Sequence, residues 1–245
     1  MPILKFEDLT RKTIKKSWRF LNNRFMEHKE KFAGHKKVGQ SILGPWEKRL
    51  VAYYAPRVPK WLETWTLTSM TIYWSIGVLV FGFLARYNIH FLWGTSLMIV
   101  LQYVTDLFDG AVGRLRNTGL IKWGYYADHF LDYIFMSCML IGYSLFIPDR
   151  FGILFFIMMI YGGFMVNSFI SFAATNRFEI SYFGFGPTEA RIGFILVNTM
   201  LVVFGKTYLA QFLPILLVAA FLLLCGVVYR NQKILWDMDM EEKNV

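Results

Sequence analysis

From residue 65 onward, long apolar runs alternate with short polar breaks, at intervals too long for strands and suited to membrane helices. Six runs come close to or exceed the ~20 residues needed to cross ~30 Å of hydrocarbon; they lie at 67–85, 89–108, 123–147, 151–174, 188–205 and 209–229. The first 64 residues read differently. Leu4, Leu9, Thr13, Ile14, Trp18 and Leu21 interleave with Lys12, Lys15, Lys16 and Arg19, which predicts an amphipathic helix lying on a membrane surface. Gly44-Pro45 and Pro56-x2-Pro59 break the rest of this arm into short pieces before Trp61 and Trp65, two aromatics suited to a membrane interface. The pattern predicts an all-α polytopic membrane protein of six transmembrane helices with an N-terminal amphipathic cytoplasmic arm. Its expected divisions are 1–64 for the arm, 65–232 for the membrane domain and 233–245 for a short tail.

Composition supports this reading. A chain of 245 residues with 56% hydrophobic residues, 24 Phe and a mean hydropathy of +0.40 is too apolar for a soluble domain of its size. No short apolar core with a small-residue cleavage site precedes residue 60, so a secretory signal is not expected. Residues 1–64 hold 15 of the 26 Lys and Arg against 6 of the 17 acidic residues, so the whole net charge of +9 is N-terminal. Such an excess beside six spans reads as attraction to anionic lipid headgroups, with no nucleic-acid partner. With six spans, Arg114, Arg116 and Lys122 in a loop at 110–122, and Arg230, Lys233 and Lys243 in the tail, share the side of the basic N-terminus. By the positive-inside rule both termini face the cytoplasm. Cys138 and Cys225 are single and apolar-flanked, and are expected to be packing residues.

One segment breaks the apolar logic. Asp106-x2-Asp109-Gly110-x2-Gly113-Arg114-x9-Gly124-x3-Asp128-x3-Asp132 puts four carboxylates in otherwise membrane-spanning sequence. A carboxylate at bilayer depth costs about 2.5 kcal/mol or more, so four together are expected to be paired, metal-bound and functional. Spacings of i,i+3 and i,i+4 bring Asp106 to the face of Asp109, and Asp128 to that of Asp132. Two facing helices would then present all four to one point, where a hard divalent cation, Mg²⁺ or Mn²⁺, neutralises them.

This run resembles the signature of the CDP-alcohol phosphotransferase (phosphatidyltransferase) family, D-x2-D-G-x2-A-R-x8-9-G-x3-D-x3-D, at every fixed position but one. Gly113 stands where the family usually has Ala. The resemblance implies a cytoplasm-facing, two-metal site in which Asp106, Asp109 and Asp128 bind metal and Asp132 is ligand, general base, or both. It also implies that Gly110, Gly124 and Arg114 border a CDP pocket, and that the protein forms a homodimer. The activity implied is transfer of a phospho-alcohol unit from a CDP-linked donor to a hydroxyl in phospholipid biosynthesis, with release of CMP.

Two versions of that chemistry stay open. Asp128-His129 and Thr188-Glu189 after Gly186-Pro187 are similar to elements of the choline and ethanolamine branch, in which a CDP-amino-alcohol meets diacylglycerol. There His129 would take the acceptor's proton; it could equally line a wet cavity. Against that branch, the Pro-Asn-x-x-Thr opening common before the first span is replaced by Trp65-Thr66-Leu67-Thr68. In the other version CDP-diacylglycerol donates to a small polar alcohol. Arg191 could pair with Glu189 or read a second phosphate, and Thr188 is the expected cap of the fifth span. A rival of another class is a transporter whose aspartates bind a permeating cation, although inverted repeats and broken helices are not evident.

Overall fold

The apolar runs end where local chemistry stops a helix. A computed structural model describes residues 37–38, 42–176, 178–179, 186–205 and 207–243, all within the compact unit 33–245. The predicted amphipathic helix around Leu4–Leu21 lies outside these residues. Seven helices are described: α1 Gly44–Tyr54, α2 Thr64–Leu84, α3 Leu92–Arg116, α4 Ile121–Phe146, α5 Phe151–Thr175, α6 Pro187–Phe204 and α7 Thr207–Lys243. All but α1 are long and apolar enough to cross a membrane, which makes the chain an all-helical polytopic membrane protein with six candidate spans.

Two helix ends lie well beyond expectation. The third helix does not stop near 108; it carries Asp109, Gly110 and Arg114 and ends at Arg116, so most of the expected 110–122 loop is helix. These residues lower the hydropathy without breaking the helix: Asp109 is buried inside the protein and Arg114 is exposed near the helix end. The turn proper is 117–120, where Asn117 (φ 51°) and Gly119 (φ 71°) adopt left-handed backbone that reverses the chain within four residues. The last helix continues past 229 to Lys243. At 1.5 Å per residue its 37 residues reach about 55 Å, well beyond the hydrocarbon thickness. Cys225 on this helix is exposed and therefore not a packing residue, whereas Cys138 is half-buried.

α2 lies along both α3 and α4. It approaches α4 so closely that a Cβ on Gly82 would sit 2.7 Å from the Gly142 Cα, and one on Gly142 would sit 3.3 Å from the Val78 carbonyl. Around this crossing Val78, Ile99, Phe135, Met139, Phe146 and Leu201 form the centre of the apolar core. Within it, Tyr143 donates to Asn198 Oδ1 at 2.6 Å and Asn198 Nδ2 donates to Ser96 Oγ at 3.0 Å, tying α4, α6 and α3 together. The core fills one end of the bundle and leaves the other for polar groups.

At that other end, Arg116 reaches the linker before α2. Its guanidinium donates to the carbonyls of Leu62 (2.7 Å), Val58 (2.8 Å) and Pro59 (3.0 Å), and pairs with Glu63 at 3.8 Å. This clasp fixes the start of α2 against the end of α3. A short parallel pairing of β1 (Lys37–Val38) with β2 (Phe178–Glu179) joins the N-terminal arm to the segment between α5 and α6.

Candidate functional site

α3 and α4 are joined by the tight 117–120 turn and both lie along α2, so the end of one and the start of the other share one end of the bundle. That brings Asp106 to the Asp128–Asp132 pair. Ligand oxygens of Asp106, Asp128 and Asp132 all lie within 4.8 Å of one another. Asp109 stands outside this grouping. It is buried (7% exposed), receives a hydrogen bond from Thr68 Oγ1 at 2.9 Å, and its Oδ1 accepts from the Gly110 amide.

Arg191 is the counter-charge. From the second turn of α6, its buried guanidinium pairs with Asp106 Oδ2 at 2.8 Å and with Asp132 Oδ1 at 3.1 Å. It therefore pairs with the motif aspartates and not with Glu189. That carboxylate instead accepts from the Gly186 amide at 2.8 Å and the Leu43 amide at 3.3 Å, at the start of α6. Gly186, not Thr188, is the cap residue. The Thr188 hydroxyl donates to Glu47 Oε1 at 2.6 Å.

His129 does not line open space. It is 6% exposed, edge-on to Tyr125 (ring centroids 4.7 Å apart), and against Phe178 (4.8 Å) and Phe169 (6.2 Å). Its Nδ1 lies 3.5 Å from Asp128 Oδ2, so the aromatic shell holds the ring beside one motif carboxylate. The motif's glycines differ in surroundings. A Cβ on Gly124 would meet nothing within 4 Å, and one on Gly110 would meet only the Arg114 guanidinium, at 3.3 Å. Arg114 itself is exposed at the end of α3. Gly124 thus faces open room, and Gly110 faces the Arg114 guanidinium.

The sequence reading did not pick out Gln102, Tyr103, Thr68 or Glu47. Gln102, wholly buried, donates from Nε2 to Asp132 Oδ1 at 2.8 Å. Its position one turn before Asp106 extends the same helix face, a signal visible in the spacing. Thr68 belongs to a buried hydroxyl stripe, Thr64, Thr68, Thr71 and Ser75, at helical intervals. The Tyr103 hydroxyl donates to Glu47 Oε1 at 3.0 Å.

Beside the site, a 470 Å³ apolar groove is lined by Leu50 and Tyr54 of α1, Arg57, Val58, Leu67 of α2 and Thr105 of α3 among others. The groove opens between α1, α2 and α3, on helix faces next to the ones that carry Thr68 and Asp106, and none of the motif aspartates lines it.

The donor set fits a hard divalent cation. Three carboxylates meet one guanidinium among the described residues at the cluster, an excess of negative charge that all-oxygen coordination of Mg²⁺ or Mn²⁺ would neutralise.

In a comparison with protein families, the model of the CDP-alcohol phosphatidyltransferases matches residues 64–229, from the start of α2 into α7. Comparison with curated proteins and with solved structures finds no match. Members of the matching family are membrane-embedded transferases of phosphate groups that act on CDP-linked alcohols and lipids, typically with a divalent metal. The match spans well over half of the chain and contains every motif aspartate, and on that ground the chain belongs to the CDP-alcohol phosphatidyltransferase family.

Proposed function

We propose that the protein transfers a phospho-alcohol unit from a CDP-amino-alcohol to diacylglycerol, forming a phospholipid and releasing CMP. The observation that carries the transferase reading is the convergence of Asp106, Asp128 and Asp132 from two facing helices within 4.8 Å, inside the region of the family match. In this reading the acceptor oxygen bonds to the phosphorus bearing the donor's alcohol. The bond from that phosphorus to the bridging oxygen breaks, and CMP leaves with the electron pair.

Asp106, Asp109 and Asp128 are the residues we assign to two divalent cations, with Asp132 as a further ligand. When bound, such cations supply charge neutralisation at the pyrophosphate and at departing CMP. Asp132 takes the proton of the attacking hydroxyl, its carboxylate steadied by Gln102 and Arg191 on Oδ1. His129, held by its aromatic shell, positions Asp128. Gly110 and Gly124 leave room for the nucleotide, and Arg114 offers its planar fork to a phosphate.

Two features favour diacylglycerol as acceptor. The apolar groove between α1, α2 and α3 suits an acyl chain, and Arg191 is engaged with Asp106 and Asp132 instead of waiting for an acceptor phosphate. The Lys and Arg bias supports a site and two termini facing the cytoplasm. A homodimer completes the reading.

The test is CMP release by purified protein in detergent and Mg²⁺, with each donor supplied separately. Turnover with CDP-ethanolamine or CDP-choline plus diacylglycerol is the expected result. Turnover with CDP-diacylglycerol and polar alcohols alone would reverse the donor assignment. No turnover with any donor, alongside metal-dependent ion flux in vesicles, would replace the transferase reading with the transporter.

A further inference from the structure

The family match begins at residue 64, yet a residue outside it reaches the site. Glu47, on the inner face of α1, accepts through one oxygen, Oε1, from both the Tyr103 hydroxyl (3.0 Å) and the Thr188 hydroxyl (2.6 Å). Both donors stand next to the catalytic groups. Tyr103 is three residues before Asp106 on α3, and the Arg191 guanidinium lies over its ring at 5.8 Å from the centroid. Thr188 is one turn before Arg191 on α6. The Leu43 amide, just ahead of α1, adds a third link by donating to Glu189.

We propose that Glu47 is a positioning residue for the transferase site: by holding Tyr103 and the first turn of α6 together, it seats Arg191 across Asp106 and Asp132. The proposal rests on the transferase reading for its catalytic consequence. A carboxylate suits this role because one charged oxygen accepts two hydroxyl donors at once, and such bonds are stronger than neutral ones. The geometry beneath it is unforgiving. Arg191 spans two carboxylates from different helices, so a small displacement of α6 breaks one of its two ion pairs. The carboxylates would then repel and turn apart, and a divalent cation would meet a splayed set of ligands.

The outer face of α1 shows what else this arrangement links. Trp46, Lys48 and Arg49 are exposed on the same helix, a combination of an aromatic and cations suited to the interface of an anionic membrane. Seating of α1 at the bilayer surface and seating of Arg191 in the site thus share one side chain between them.

The experiment compares Glu47→Ala, Glu47→Gln and Tyr103→Phe with the unmodified full chain, reading Mn²⁺ affinity by electron paramagnetic resonance, kcat and donor KM from CMP release, and melting temperature. Loss of a group that supports metal ligands typically costs about 10- to 100-fold in metal affinity or activity. The expected result for Glu47→Ala is a loss in that range in both Mn²⁺ affinity and kcat, with donor KM and melting temperature nearly unchanged. Glu47→Gln keeps an acceptor oxygen at the same place and should recover most of the loss. Tyr103→Phe keeps the ring under Arg191 but removes one donor, and should fall between; it stands in should Glu47→Ala fail to fold. Unmodified Mn²⁺ affinity in Glu47→Ala or, failing that, in Tyr103→Phe overturns the proposal, as does a Gln variant no better than Ala. An unmodified protein that releases no CMP from any donor defeats the transferase reading alone, because the Mn²⁺ titration still reports on Glu47.

Discussion

Thr68 on α2 donates a hydrogen bond to Asp109 Oδ2 on α3 at 2.9 Å, and both groups are buried. The same hydroxyl lies 2.9 Å from the Thr64 carbonyl, but it has one proton to give. The carboxylate is the stronger acceptor, so the bond across the two helices is the one that counts. Thr68→Val, which keeps the shape and removes the donor, is expected to cost about 1–3 kcal/mol of stability by stripping a buried acceptor. It should also raise the Mg²⁺ concentration needed for half-maximal CMP release. Thr68→Ser should do neither. Thermal unfolding and a Mg²⁺ titration of the two variants provide the check.

The second expectation concerns the carboxylates themselves. Asp109→Asn and Asp128→Asn preserve size while removing ligand charge, and the double variant should lose CMP release by at least about a hundredfold. EDTA treatment of the unmodified protein should give the same loss, restored by Mg²⁺ or Mn²⁺. Full activity in the double variant would show that the aspartates serve only the fold.

Much of this site was readable in the chain, because helical periodicity is a local rule. A spacing of four puts Asp128 with Asp132, and a four-residue turn is enough to bring Asp106 to them; Asp109, expected at the same point, stands outside that grouping because Thr68 and the Gly110 amide hold it. Gln102 obeys the same rule from one turn earlier and could have been included. The hydroxyl stripe from Thr64 to Ser75 was harder, since Thr in an apolar helix often bonds only its own preceding carbonyl, as Ser75 does to Thr71. Glu47 was beyond reach. Its partners lie 56 and 141 residues away, and no periodic pattern connects positions on separate elements. Hydropathy also ended α3 too early, because Asp109 and Arg114 lower the average over a stretch whose backbone stays helical.

Orientation in the membrane is open to direct labelling. On the proposed topology, which rests on the Lys and Arg bias, the α3–α4 turn faces the cytoplasm and the α2–α3 connection the opposite side. Leu120 and Tyr87, both exposed, suit a cysteine label, whereas the neighbouring Asn117 holds left-handed backbone and the Asn88 side chain accepts from the His90 amide. With Cys138 and Cys225 replaced by Ala, an impermeant maleimide applied from the cytoplasmic side should modify Leu120→Cys and leave Tyr87→Cys untouched. Modification of both from one side would mean that one of the six helices does not cross.

Gly113, the one departure from the family signature, is matched to Thr64. A Cβ at 113 would stand 2.8 Å from Thr64 Oγ1 and 3.4 Å from its Cγ2, so the usual Ala enters only if the Thr64 side chain turns or α2 shifts; with Thr64 buried at the helix start, we expect the helix to shift. Overpacking of this kind costs about 1–3 kcal/mol. The Thr64 hydroxyl is buried with no hydrogen-bond partner among the described residues, so Thr64→Ala alone should cost little. Gly113→Ala should destabilise the protein, and adding Thr64→Ala should restore it, giving a coupling of about 1 kcal/mol or more in a double-mutant cycle of thermal unfolding. Because Thr68 lies one turn along α2 from Thr64, the shift forced by Gly113→Ala should also pull the Thr68 hydroxyl from Asp109 and weaken Mg²⁺ activation. Strictly additive stabilities would mean that Thr64 turns aside freely and that the two positions are not matched.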